Sequence, residues 1–240
     1  MKVVITQSML FPWVGLLEQM RLADVFVHYD DVQFSKGSFT NRVQVKTAIG
    51  SRWMTVPLQD LKLGNVIDQV RIAPKAEWRD AHLALLAQSF RGAPYAQDAL
   101  ELAREVYDKA HSSIGQLARS SMLALGRYFG LMEGKRFLDA KDLCIGGAGS
   151  SRVLDIVRAV GGTIYITGHG ARNYLDHEQF DLAGIAVEYV DYCCHPYPQS
   201  HGPFTPYVSA LDLVANCGLS GKDFFVSKTI PWREFLNGCK

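Results

Sequence analysis

The chain has 240 residues, of which 48% are hydrophobic and 20% are charged, and its formal net charge is +1. This length and hydrophobic content predict a substantial buried core. Because acidic and basic residues are interspersed and nearly balanced, the composition argues against an obligate nucleic-acid surface and against a basic stripe for anionic membranes. The composition is still compatible with small charged ligands and with a local basic pocket for phosphate.

The compartment and the redox state follow from two further features. No apolar run approaches the roughly 18 residues that span a bilayer, and the chain opens on a strand instead of a signal peptide. We therefore expect no membrane insertion and a cytoplasmic location. The five cysteines include no C-x-x-C pair, so we expect reduced, mostly structural thiols and no metal site. They are Cys144, Cys193, Cys194, Cys217 and Cys239.

The first 33 residues predict a strand, a loop, a helix and a second strand. Residues 2–6 and 25–27 are the apolar strands, and Pro12 and Trp13 stand at the start of the helix. In open α/β sheets, ligands bind beyond the carboxyl ends of the strands. Polar residues that collect at these ends are Gln7, Asp30, Asp31 and Gln33.

The middle of the chain changes its periodicity twice. Residues 39–47 and 52–57 alternate as strands around a turn, which predicts a hairpin, and residues 66–72 predict a short antiparallel or edge strand. From about residue 78 to 130 the apolar residues follow a helical period. We therefore expect a helical insert or subdomain over residues 76–131 within a single α/β domain that spans residues 1–240.

The α/β pattern then resumes. Strands are expected at residues 136–139, 163–167 and 186–192, with one helix from about residue 151 and another over residues 209–216. The β-branched strand at 163–167 is of the parallel type. The predicted fold class is α/β, a three-layer arrangement around a mainly parallel sheet. It would be Rossmann-like.

The residues after the second strand suggest a site with a carboxylate and cations. Alternation sends Asp30 and Asp31 to opposite faces, so only one of them should face a ligand. That carboxylate would orient a hydroxyl or amine, or act as an acid or base, while Lys36 and Arg42 bind phosphate. Asn41 lies beside them. The alternative is a turn that the two aspartates stabilise.

Two later loops add candidates. Gly168 would let the backbone pass close to a ligand after the strand at 163–167, and His169 and Arg172 would supply a titratable group and an anion clamp. Further along, His195 and His201 are candidate general bases. A nucleophilic Cys193 or Cys194, or a metal site, would be the alternative chemistry in that loop.

The helix at 209–216 carries Asp212 and Asn216 on one face, and we expect it to brace the histidine loop. The loop after Gln7 has two possible roles. It could bind an anion at the N-terminus of the helix that follows, or Trp13 could have only a structural role at the start of that helix.

Ordered motifs at both ends of the chain resemble the WbqC-like bacterial proteins. They include Gln7 with Pro12-Trp13-Val14-Gly15, Asp30-Asp31-Val32-Gln33-Phe34, Tyr165-Ile166-Thr167-Gly168 and His195-Pro196-Tyr197. The resemblance implies a role in bacterial surface-polysaccharide or related sugar biosynthesis. The chain differs from the family pattern at Thr167-Gly168-His169-Gly170, so His169 is expected to tune substrate preference. The chain also has a looser similarity to nucleotidyltransferase-like folds, which implies a nucleotidyltransferase-like sheet as the alternative arrangement. It lacks the histidine-glycine-histidine motif that those enzymes carry in their first loop.

Together these features suggest an enzyme that transfers an acyl or aminoacyl group to the amine of a nucleotide-linked amino sugar. His195 or His201 would take the amine proton, and Asp30 or Asp31 would orient the substrate. The expected substrate-binding residues are Gln7, Trp13, Gln33, Lys36, Asn41, Arg42, Gly168, His169, Arg172, Tyr174, Tyr197 and Gln199.

Two alternatives stay open. One is an ATP-dependent ligase or nucleotidyltransferase with Mg²⁺ at Asp30 and Asp31, and the other is a non-catalytic protein that binds a ligand or recruits a carrier. No cofactor is required by the motifs, and the acyl donor is not specified by them.

Overall fold

A computed structural model describes residues 1–74 and 77–238. Within these residues the main sheet has six strands in the order β10-β9-β8-β1-β2-β7, and neighbours pair in parallel except β9 with β10. The main-sheet strands are β1 (Lys2–Thr6), β2 (Val25–His28), β7 (Arg136–Asp139), β8 (Ile164–Thr167), β9 (Ala186–Asp191) and β10 (Lys228–Pro231). A mixed α/β fold with a mainly parallel central sheet is thereby confirmed.

Two small antiparallel pairs complete the strands of the described residues. They are β3 (Arg42–Thr47) with β4 (Gly50–Thr55), and β5 (Leu58–Gln59) with β6 (Arg71–Ile72). The hairpin expected around residues 49–50 is confirmed. The helices are α1 (Val14–Leu22), α2 (Glu77–Ser89), α3 (Ala96–Tyr107), α4 (Ile114–Tyr128), α5 (Gly149–Ala159), α6 (His177–Leu182), α7 (Leu211–Cys217) and α8 (Trp232–Gly238).

Side-chain alternation along the strands supplies two cores, one on each face of the sheet. Val4 and Phe26 belong to the cluster that includes residues of α1, α3 and α4. Their strand neighbours Val3 and Val25 belong to the opposite cluster, which includes residues of α5, α6 and α8. The sheet therefore lies between two helical layers, because every second residue of a strand points to the same face.

Three helices, α2 to α4, occupy the region expected to be a helical insert. They are not separate from the main core, since Leu117 of α4 packs in the same cluster as Phe26 of β2. The division into one domain with an insert stays a prediction, and its expected start at residue 76 lies outside the described residues, as does Cys239.

The short strand expected over residues 66–72 is wrong for most of its length. Ile67–Gln69 form a 3-10 helix, and only Arg71–Ile72 pair as a strand. The reason is tertiary: Ile67 is fully buried, and the Asp68 carboxylate accepts a hydrogen bond from Arg119 at 3.1 Å. Contacts with α4 and with the chain after β2 outweigh the local alternation.

Arg119 of α4 links the ends of β2 and β7. Its guanidinium lies 2.8 Å from Asp30, 3.1 Å from Asp68 and 2.7 Å from Asp139. Burial alone would lower the pKa of Arg119, but these carboxylates raise it, so the side chain is cationic. Lys141 adds a second positive charge 3.4 Å from Asp68. Loss of the Arg119 charge would leave a cluster of acids with too few partners.

We expect Arg119→Met to lower the free energy of unfolding by about 3–5 kcal/mol, because breaking a buried ion pair leaves uncompensated charges. Urea denaturation followed by circular dichroism measures the change. The matched control is Arg127→Met on the same helix, which removes a half-exposed arginine 3.6 Å from Glu105. Its loss should stay within about 1 kcal/mol. Equal losses in the two variants would contradict the role given to Arg119.

Candidate functional site

A cavity of about 950 Å³ opens beyond the carboxyl ends of β1, β2 and β8. The chain leaves β1 toward β2 on one side of the sheet and later returns to β8 on the other, so the cavity lies at the point where the strand order reverses. Ligands of open α/β sheets bind at such a point. The polar side chains that line it are Thr6, Gln7, Gln19, Tyr29, Asp31, Gln33, Arg152, Thr167, His169, Tyr174, Tyr192, Cys194 and Tyr207.

Asp31 and Arg152 are the oppositely charged pair of the cavity wall. Arg152 donates a 2.5 Å hydrogen bond to Asp31 Oδ2 and another of 2.9 Å to the Ile145 carbonyl, and its guanidinium lies 4.9 Å from the centre of the Tyr29 ring. Burial alone would lower the pKa of Arg152, but the bond to Asp31 raises it. Asp31 Oδ1 is buried and has no hydrogen-bond partner within the described part of the chain.

An unpartnered buried carboxylate oxygen costs about 1–3 kcal/mol. Because this oxygen belongs to a residue that lines the cavity, a hydroxyl or amine of a ligand can pair with it. Of the two neighbouring aspartates, it is therefore Asp31 that the structure places at the cavity.

Arg152 was missed by the sequence reasoning. It lies in the first turn of α5, and Gly147, Ala148 and Gly149 before it also line the cavity. The N-cap residue Ala148 makes no side-chain hydrogen bond to the first N–H groups of α5, which an α-helix leaves without an intrahelical partner. The available signal was a glycine-rich stretch directly before a helix with an arginine in its first turn, a pattern that favours anions.

His169 is the histidine that lines the cavity in the described residues. Its Nε2 lies 2.9 Å from the Val190 carbonyl oxygen. A carbonyl can only accept, so Nε2 carries the proton and, in the neutral ring, Nδ1 is the nitrogen that can take one. The imidazole also packs against Tyr192 and Phe235, with ring centres 5.1 and 4.8 Å apart. These contacts hold the ring at the end of β8.

Aromatic rings form one wall of the cavity. The Trp13 indole lies between Tyr192, at 5.0 Å, and Tyr207, at 5.3 Å. Gln19 donates a 2.5 Å hydrogen bond to the Tyr192 hydroxyl. We call Trp13, Tyr192 and Tyr207 the aromatic wall. Because the indole covers the first turn of α1, the structure brings this segment to the cavity as an apolar surface.

The expected substrate-binding residues separate into those that line the cavity and those that do not. Gln7, Trp13, Gln33, Gly168, His169 and Tyr174 line it. Lys36, Asn41, Arg42, Arg172, Tyr197 and Gln199 do not. Arg42 donates instead to the Gly37 carbonyl at 2.6 Å and stacks on Trp53, and Asn41 donates to the Val56 carbonyl at 3.1 Å. The cations Lys36, Arg42 and Arg172, expected to bind phosphate, thus lie outside the lining of this cavity.

Asp30 belongs to a buried cluster under the cavity. Its carboxylate accepts hydrogen bonds from the Ser8 N–H and hydroxyl, at 2.8 and 2.6 Å, and from Arg119. Ser8 Oγ also lies 2.9 Å from His28 Nδ1. Burial, and then the Arg119 charge, lower the pKa of His28 to about 3, so the ring is neutral. Because Ser8 is fully buried, this serine-histidine-aspartate group braces the strand ends.

The loop with the two expected catalytic histidines lies beside the aromatic wall and outside the cavity. His195 lines a separate, small pocket on the other side of Trp13 and Tyr192, and His201 Nε2 donates 2.8 Å to the Ser89 carbonyl. This loop spans residues 195–207, and within it Tyr207 lines the cavity, as does Cys194 directly before the loop. Burial raises the pKa of Cys194, which makes its thiol a poorer nucleophile.

Lys46 holds this loop from below. It is 4% exposed and donates to Gln199 Oε1 at 3.0 Å and to the carbonyls of Gly202 and Pro203 at 3.1 and 2.6 Å. Asn216 of α7 contacts Asp212 at 3.3 Å and accepts from Ser200 at 3.3 Å. The face of this helix that carries Asp212 and Asn216 therefore braces the loop.

The described residues contain neither a candidate metal site nor a membrane-spanning helix. Across residues 1–74 and 77–238 there is no cluster of three or more histidine, cysteine or acidic side chains suited to a metal ion. Within the same residues, no helix has the length and apolar character of a membrane span.

Asp212 gives a test of this loop support. Burial raises its pKa from 3.8 to about 6, so between these values the folded chain keeps a proton that the unfolded chain releases. This contribution to stability is complete below pH 3.8 and is lost as the pH rises through about 6. Asn cannot titrate. The unfolding free energy of wild type minus that of Asp212→Asn should therefore fall from pH 4 to pH 6.5 in urea titrations.

Gln88→Ala, an exposed and uncharged change on α2, controls for general effects of pH. Its difference from wild type should not vary over this range. A pH-independent difference for Asp212→Asn would show that the buried carboxyl titrates as it does in the unfolded chain.

Comparisons with known proteins agree with this chain's motifs. The family model for the WbqC-like protein family matches residues 7–223. The chain is also similar to a protein of Mycobacterium tuberculosis (strain ATCC 25618 / H37Rv) named Uncharacterized protein Rv1507c, with 30% identity over 227 residues that cover 93% of this chain and 96% of the relative. No solved structure matches the chain. The resemblance expected from the motifs is confirmed, and the chain belongs to the WbqC-like protein family.

Proposed function

We propose that this protein transfers an acyl or aminoacyl group to the amine of a nucleotide-linked amino sugar, in surface-polysaccharide or related sugar biosynthesis. The observation that carries the proposal is one cavity that joins three groups: Asp31 Oδ1, which has no hydrogen-bond partner among the described residues, the Arg152 guanidinium, and the His169 imidazole with Nδ1 as its proton-accepting nitrogen. Its volume of about 950 Å³ suits a ligand as large as a nucleotide sugar. Such a substrate agrees with the expected cytoplasmic location.

The nucleotide half would lie on the side of Asp31 and α5. Numbered from first to sixth along the chain, the main-sheet strands stand in the order 6-5-4-1-2-3. This is the order of Rossmann-like dinucleotide-binding sheets, here with an antiparallel last strand. In those sheets an acidic residue after the second strand bonds a ribose hydroxyl, which is the position of Asp31. Arg152 and the first N–H groups of α5 would face the phosphates.

The amino sugar would lie on the side of His169. In the reaction the neutral amine attacks the acyl carbon of the donor, a new C–N bond forms, and the bond from that carbon to the leaving group breaks. His169 Nδ1 takes the proton that the amine loses, and the leaving group departs with the electron pair of the broken bond. The donor would enter beside the sugar, and its chemical type is part of the test below.

Asp30 and Asp31 have different partners, since Asp30 bonds Ser8 and Arg119 while Asp31 bonds Arg152. This difference disfavours the paired carboxylates that the magnesium-dependent ligase or nucleotidyltransferase hypothesis requires. That hypothesis, and the hypothesis of a non-catalytic binding protein, are retained as outcomes of the experiments.

Ligand binding is tested first, by thermal shift with nucleotide-linked amino sugars, coenzyme A thioesters, carbamoyl phosphate, and ATP with Mg²⁺. We expect a nucleotide-linked amino sugar to stabilise the wild type, and Asp31→Asn to bind it roughly 10- to 100-fold more weakly because a charged acceptor is lost. Asp142→Asn, an exposed change outside the cavity, should bind like wild type. Selective stabilisation by ATP with Mg²⁺, and by no sugar nucleotide, would replace the proposal by the ligase hypothesis.

Transfer is tested with the donor and acceptor that bind, by mass spectrometry of the product. We expect His169→Gln to lower kcat about 10²- to 10⁴-fold with little change in acceptor affinity, because glutamine can keep the bond to Val190 but cannot accept the proton. His195→Gln is the informative comparison and should keep near wild-type turnover. The reverse pattern would place the base in the 195–207 loop. Binding of both ligands without any product would indicate a non-catalytic protein.

A further inference from the structure

The Trp13 indole packs unusually close to the backbone of the helix that follows it. A Cβ atom added to Gly15 would lie 2.1 Å from Trp13 Cη2 and 2.4 Å from Cζ2 and Cζ3. The indole therefore lies directly on the backbone of Gly15. This glycine does not have a positive φ, so its backbone does not require a glycine. Glycine within a helix lowers its stability by about 0.5–1 kcal/mol relative to alanine. At this position the missing side chain allows the indole to contact the backbone.

Three other contacts fix the aromatic wall. Ala210 N–H donates 2.7 Å to the Pro12 carbonyl, and Trp13 forms an isolated β-bridge with Ser209, so the segment after Tyr207 is joined to the segment of Trp13. Gln19, one turn along α1, fixes the Tyr192 hydroxyl. The wall is thus held in place although Tyr207 is 55% exposed. Exposed aromatic side chains at the edge of a cavity are a common mark of a binding surface.

The angles between the rings favour one class of occupant. Trp13 is tilted by 50° to Tyr192 and by 59° to Tyr207, and His169 is tilted by 58° to Tyr192. A flat base can stack on only one of such rings. A pyranose ring is puckered and carries C–H bonds on its faces and its edge, which can lie against the negative faces of several tilted rings.

We propose that the aromatic wall is the subsite for a pyranose ring, and that Gly15 is the positioning residue that holds the Trp13 indole flat for it. The inference deepens the proposed function, on which it rests for the amino group of the sugar. His169 packs on Tyr192, so a sugar on this wall has its substituents beside the imidazole. The nucleotide would then extend toward Asp31 and Arg152.

The test uses free sugars, so that its result does not depend on the nucleotide. Saturation-transfer NMR is recorded with glucosamine, galactosamine and mannosamine, and in parallel with uridine, thymidine, adenosine and guanosine. We expect the wild type to transfer saturation to the ring protons of at least one amino sugar. Gly15→Ala and Trp13→Ala should weaken that binding roughly 3- to 10-fold or more, the range of aromatic pair energies.

Gly238→Ala is the matched control, because nothing lies within 4 Å of a Cβ at Gly238 and this residue does not line the cavity. Circular dichroism shows whether each variant is folded. If Gly15→Ala does not fold, Trp13→Ala and Gln19→Leu, which releases Tyr192, give the result in its place.

Three outcomes would overturn the inference: no amino sugar signal in the wild type, an unchanged signal in the wall variants, or loss of nucleoside signals in those variants while sugar signals persist. Each differs from failure of the proposed function, which is measured with nucleotide-linked sugars and Asp31→Asn. Sugar binding that depends on Trp13, without any binding of nucleotide-linked sugars, would retain the subsite and remove the nucleotide from the proposal.

Discussion

The guanidinium of Arg119 reaches three carboxylates that are far apart in the chain, on Asp30, Asp68 and Asp139. Two of these follow or end neighbouring parallel strands, β2 and β7, and the third lies in the 3-10 turn before β6. A single cation on α4 therefore sets the positions at which the chain leaves the sheet on one side of the cavity. Burying such charges is costly unless all of them are paired, so the cluster allows little displacement of α4 or of the strand ends.

This arrangement explains how two adjacent aspartates come to have different roles. Asp30 turns inward to Arg119 and Ser8, where burial raises the pKa of Asp30 despite its hydrogen bonds. Asp31 turns to the cavity, where Arg152 takes one of its oxygens and the other has no partner in the described residues. Because Asp30 is anchored, the backbone that carries Asp31 is anchored as well. The structural carboxylate thus supports the one that faces the cavity.

The same separation of support and cavity recurs at the other end of the chain. Lys46 holds the 195–207 loop through partly buried hydrogen bonds to Gln199, Gly202 and Pro203. His201 bonds the Ser89 carbonyl, and neither His195 nor His201 lines the cavity. What the loop gives to the cavity is Tyr207, which packs on Trp13. Polar residue density in a loop therefore reflected the need to pair buried groups, because a buried polar atom without a partner is unfavourable.

The sequence predicted much of the fold but little of which polar residues support the structure and which line the cavity. The strands at 2–6 and 136–139 agree with β1 and β7, and the hairpin around residues 49–50 is correct, since apolar alternation and turn residues act locally. The strand predicted over residues 66–72 is wrong for most of its length because Asp68 accepts a hydrogen bond from Arg119, which is 51 residues away. No local pattern carries that information.

The sequence by itself determined the family, the alternation that buries both faces of the sheet, and the opposite directions of Asp30 and Asp31, because each depends on residue order alone. Tertiary structure alone decided which polar groups meet. It joined Arg152 to Asp31 across 121 residues, seated Trp13 on Gly15 between two distant tyrosines, and brought His169 to the cavity while His195 and His201 stayed outside. Pairing of buried charges and ring contacts depends on distances in space, which spacing along the chain does not encode.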